Sequence, residues 1–121
     1  MVTTQKTKSR SHALGWAAAL ALTWGCSMGG DGDIPEHIAG ILAQHCAGCH
    51  GAIPTNMAPM PIITCDDIVA ESPSGGSVLA VTRTRITIED ESALMPPGVR
   101  LPDEPLAAMV AWLDDGAPPC Q

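Results

Sequence analysis

The chain has 121 residues, three Trp and no Phe or Tyr, and sets six basic residues against thirteen acidic ones for a formal charge of −7. A chain this short builds one domain with one modest core. Lys6, Lys8 and Arg10 precede every acid, so the remainder holds three arginines against thirteen acids, a net −10 with no lysine; this excludes nucleic-acid binding, which requires a basic surface.

Residues 1–25 read as an export signal. Lys6, Lys8 and Arg10 make a positive leading region, and Ala13 to Leu22 an apolar stretch too short to span a bilayer. Gly25 precedes Cys26, and residues 26–33 form a flexible linker. The order resembles a bacterial lipoprotein signal, in which Cys26 becomes a lipidated N-terminus and a membrane anchor; an ordinary secretory signal followed by a spare cysteine is the alternative. Both predict an exported, periplasmic protein, and no later segment is long and apolar enough to be a transmembrane helix.

The remaining domain, 34–121, opens with a predicted helix capped by Asp33, with Glu36 three residues on and Pro35 in its first turn. Ile34, Ile38, Ile41 and Leu42 form one apolar stripe leading into Cys46-Ala47-Gly48-Cys49-His50. Two cysteines two residues apart followed at once by histidine is the attachment pattern of c-type haem. Each thiol can form a thioether with one porphyrin vinyl group, and the histidine becomes the proximal iron ligand. A redox dithiol and half of a zinc site also use CxxC. The zinc reading lacks a second ligand pair, and the dithiol lacks its βαβ setting. A domain with Trp112 as its only aromatic after the signal also has room for a large flat apolar group.

A loop rich in Pro and Met follows, from Pro54 to Pro61. Thr64 with Asp67 predicts a short helix over Cys65 to Glu71. Pro73 to Gly76 break the chain, and Ser77 caps a third helical piece over Val78–Val81. The β-branched run from Val81 to Ile88 is also compatible with a strand. The last predicted helix opens at Asp103-Glu104-Pro105, carries Leu106, Met109, Val110 and Leu113 on one face with Trp112 beside it, and ends at Gly116. Cys65 and Cys120, left over from the motif, are the expected disulfide partners in an oxidising compartment.

Candidates for the sixth iron position are Met57, Met60, Met95, Met109, His37 and His45. Met109 is assigned to the core, Met60 to loop packing, and His45 is too close to Cys46 to reach the far face. Met57 must turn immediately round the porphyrin edge. Met95, in Leu94-Met95-Pro96-Pro97-Gly98, is favoured because two prolines restrict the backbone that presents it. Arg83, Arg85 and Arg100 are the only cations available to the haem propionates.

A helix entering CxxCH, then Met-Pro-Pro-Gly, then a helix ending Trp112-Leu113-Asp114-Asp115-Gly116-Ala117-Pro118 resembles the small bacterial monohaem cytochrome c-type domains. The resemblance implies an all-α, class I-like fold of three to four short helices around one covalent haem c, with the first and last helices packed together. It implies Cys46 and Cys49 on the porphyrin, and His50 and Met95 on iron. The expected function is one-electron transfer, not enzymatic turnover, with redox partner proteins bearing basic patches. The alternative is a haem enzyme or sensor with an open sixth site, reducing peroxide or binding a gas.

Overall fold

Proline decides where the first helix begins. In the computed structural model, which describes residues 32–121, α1 spans Glu36–His45 with Pro35 as its N-cap and no side-chain capping bond. The expected Asp33 cap is therefore corrected. A residue before proline is pushed out of the α region, so Ile34 cannot take helical geometry. The Pro35 carbonyl instead accepts from the amides of Ile38 and Ala39. The expected export signal 1–25, the expected lipidation site at Cys26 and most of the expected 26–33 linker lie outside the described residues.

The chain breaks at Cys46, and α2, Ala47–His50, is a single turn set on the end of α1. The next helix, α3, spans Cys65–Val69 and stops before the expected Glu71. Thr64 accepts from the Asp67 amide, while the Asp67 carboxylate accepts from the Thr64 amide, a reciprocal cap. Ser77 then caps α4, Val78–Thr87. This resolves the helix-or-strand ambiguity of the Val81–Ile88 run. Val78, Thr82 and Ile86 recur every four residues and are buried together. The Thr84 and Thr87 hydroxyls donate to the Ala80 and Arg83 carbonyls one turn back, so their polar groups are satisfied within the helix.

The final helix, α5, spans Asp103–Asp114, with Asp103 and Glu104 in its first turn. It ends in a Schellman motif: the Gly116 amide donates to Leu113 O and the Ala117 amide to Trp112 O. Gly116 supplies the left-handed backbone there, at φ 89°. The Trp112 indole N–H donates to Pro118 O at 2.8 Å, tying the tail to the helix. Asp114 sits at the unfavourable end of the α5 dipole. Arg83 of α4 forks onto it at 2.8 and 3.3 Å and holds its carboxyl below the usual range.

The fold is all-α; among the described residues there is no strand, only an isolated bridge between Glu71 and Ser77. Among the described residues there are five helices where three to four were expected, because the break at Cys46 sets α2 apart as a separate single turn. α5 packs against both α1 and α4, and α4 against α3. The shared core holds Ile38 and Leu42 from α1, Ile68 from α3, Val78 and Ile86 from α4, and Met109, Trp112 and Leu113 from α5. Each such aliphatic side chain contributes about 1.5–3 kcal/mol on burial. Cys65 and Cys120 form a disulfide, Cα to Cα 4.9 Å, that joins the tail to the start of α3. Among the described residues, no helix is long and apolar enough to cross a membrane.

Candidate functional site

The turn that carries the CxxCH motif is held almost wholly by backbone. The Cys49 and His50 amides both donate to Cys46 O, which closes α2. Gly51 then passes so near Ala47 that a Cβ would stand 2.9 Å from its carbonyl oxygen. The close approach explains why that position is a glycine. Residues 55–62 fold back over the turn. The Thr55 amide donates to Cys49 O and its hydroxyl to Gly48 O. Asn56 Nδ2 donates to Cys49 Sγ at 3.5 Å, and the Ile62 amide to His50 O.

His50 is oriented by the same loop. Its Nδ1 lies 2.8 Å from Met60 O. A carbonyl can only accept, so Nδ1 carries the proton and Nε2 is the nitrogen with a free lone pair. This is the tautomer a ligating imidazole needs, with a second partner fixing the ring plane. Sequence reading missed the role of Met60, because a main-chain carbonyl leaves no side-chain signature.

A cavity of about 290 Å³ opens beside this turn. Cys46, Cys49 and His50 line one side, and Met95, Pro96 and Pro97 approach it from the chain ahead of α5. The residues at i, i+1, i+4 and i+5 of α4, Val81, Thr82, Arg85 and Ile86, complete the wall. The structure thus brings all four residues expected to hold a cofactor onto one apolar cavity.

The remaining candidates are distributed differently. Met109 is fully buried in the core, and His37 is exposed on α1. Met60 is half-buried against the core and lines the cavity with its neighbours. Met57, 98% exposed in left-handed backbone at φ 62°, stands at the rim. His45 lines the cavity next to Cys46. Of the three arginines, only Arg85 does so; Arg83 is engaged with Asp114, and Arg100 donates to Ile88 O.

No family model, curated protein or solved structure matches this chain. Cys46 and Cys49 are free and half-buried, and burial pushes the Cys46 thiol up to about 11. A dithiol used for exchange requires the opposite, a thiolate stabilised near neutral pH. A structural zinc requires three or four convergent donors. Among the described residues no three His, Cys, Asp or Glu side chains come together in that way. The cavity lining carries two thiols, the imidazoles of His45 and His50, and the thioethers of Met57, Met60 and Met95 on mainly apolar surface. That donor set fits a covalent haem c.

Proposed function

We propose that this chain is an exported one-electron carrier with a single covalent haem c, held by Cys46 and Cys49 and ligated by His50 and Met95. The observation that carries the reading is the His50–Met60 hydrogen bond at the edge of a cavity that Met95 also lines. It leaves Nε2 as the free donor and limits the motion of the ring. Bound there, the haem supplies the one-electron couple.

The chain's own residues account for the rest. The two thiols, one helical turn apart, anchor the group along the α2 side. His50 is kept in one tautomer by a carbonyl that cannot itself titrate. Met95 brings a soft sulfur, which favours the reduced metal and raises the potential. Val81, Thr82 and Ile86 of α4 line the site with mainly apolar surface and limit water there. Fixed donors on both sides keep reorganisation on electron transfer small. The excess of acids favours redox partners with basic patches. Export places the motif and the Cys65–Cys120 disulfide in an oxidising compartment, with Cys26 as the lipid anchor to the membrane.

Absorption spectra of the purified oxidised and reduced protein test this. Expected are covalent haem that survives denaturation and a weak near-infrared sulfur-to-iron band that disappears in Met95→Ala. High-spin ferric iron that readily takes peroxide or carbon monoxide in the unmodified protein would replace the carrier with an enzyme or sensor. Absence of covalent haem would refute both.

A further inference from the structure

One residue touches the Met95 segment from two directions. Arg85 lies in the last turn of α4, where the final carbonyls of a helix have no partner within it. Its carbonyl accepts from the Met95 amide at 3.0 Å. Its guanidinium Nη1 donates to Ala93 O at 3.2 Å. The two bonds fall on either side of Leu94, whose side chain is buried at 4% exposure. Beyond Met95 the next tie to α4 is Arg100, whose guanidinium donates to Ile88 O. Pro96 and Pro97 have no amide hydrogen to donate, and the next main-chain bond, Val99 amide to Pro96 O, is internal to the turn. Gly98 and Val99 are exposed.

We infer that Arg85 is a positioning residue that keeps the Met95 segment closed over the cavity and so sets how readily the sixth position opens to an outside ligand. The inference rests on the haem reading above and deepens it. The main-chain half of the clamp comes with the helix; the guanidinium half is the part that residue choice controls. The arginine is suited to this. It lines the cavity, and a charged donor to a carbonyl is worth more than a neutral one.

The test uses the haem-loaded full chain and imidazole as probe. An outside ligand binds only the open state, so its apparent affinity follows the open fraction. Losing the Ala93 bond in Arg85→Ala should tighten imidazole binding to ferric protein about 10-fold, as expected for one charge-assisted hydrogen bond. The near-infrared band should weaken in parallel. Arg85→Lys, which keeps a charged donor, should fall between Arg85→Ala and the unmodified protein. Arg83→Ala removes a cation of the same helix that does not line the cavity, and should leave imidazole affinity within about two-fold. Unchanged affinity in Arg85→Ala, or an equal rise in Arg83→Ala, overturns the inference. So does covalent haem without a near-infrared band in the unmodified protein. Absence of covalent haem there overturns the earlier reading instead.

Discussion

The two sides of the cavity are built on different principles. The Cys46–His50 side is a single helical turn set on the end of α1 and clasped by residues 55–62 through main-chain bonds together with those of the Thr55, Asn56 and His50 side chains. The Met95 side is a proline-rich segment held to α4 mainly through Arg85. The first side derives its rigidity from local backbone closure, which tolerates many side chains. The second depends on two arginine side chains, Arg85 and Arg100, and on the buried Leu94. On the proposed reading, attachment falls to the robust side and tuning to the adjustable one.

Removing attachment altogether should produce the largest effect. The double variant Cys46→Ala, Cys49→Ala is expected to retain no covalent haem, read by haem staining after denaturing electrophoresis. Covalent haem surviving in it would show that the robust side has been misplaced. Core truncation sharpens the contrast next. Leu42→Ala, beneath the motif and 1% exposed, should cost about 2–5 kcal/mol in urea unfolding. Leu94→Ala should fall at the lower end of that range, since a segment beside a cavity can relax into the space. Equal losses would argue that the two sides are equally rigid.

A smaller loss is expected at Gly51. Its Cβ would meet the Ala47 carbonyl at 2.9 Å, so Gly51→Ala should cost about 1–3 kcal/mol and slow haem attachment. A neutral result by thermal unfolding would mean that the turn is softer than its bonding suggests. The smallest effect is one of pH. In haem-free protein the Cys46 thiol, pushed up to about 11 from 9.0, prefers to keep its proton when folded. Its contribution is then fully present below pH 9 and declines as pH rises towards 11. At pH 8, Cys46 should accordingly hold about 100-fold less thiolate than an unperturbed thiol and alkylate more slowly than Cys49. Mass spectrometry of partially alkylated protein checks the order.

Much of this was legible residue by residue. The Ile38 and Leu42 stripe, the Thr64 and Ser77 caps, and the Met109–Leu113 face each follow from helical spacing. The cysteines paired as arithmetic suggested, Cys65 with Cys120. The β-branched Val81–Ile88 run was ambiguous because period and propensity disagreed there. The structure decides for helix through buried Thr82 and Ile86 and through threonine hydroxyls bonded one turn back. The Asp33 cap was misread because Pro35 excludes helical geometry from the residue before it.

By itself, the sequence determined the all-α character, the Thr64 and Ser77 caps, the Cys65–Cys120 pairing and the thiol–imidazole motif. The pairing follows from cysteine count; the others are properties of neighbours along the chain, governed by spacing, capping and side-chain chemistry. Only the tertiary structure decided that Met60 lends His50 a carbonyl, that Arg85 rather than Arg83 or Arg100 lines the cavity, and that Met95 is tied to α4. Main-chain donors and acceptors are the same at nearly every residue, so which pair meets depends on how the helices pack.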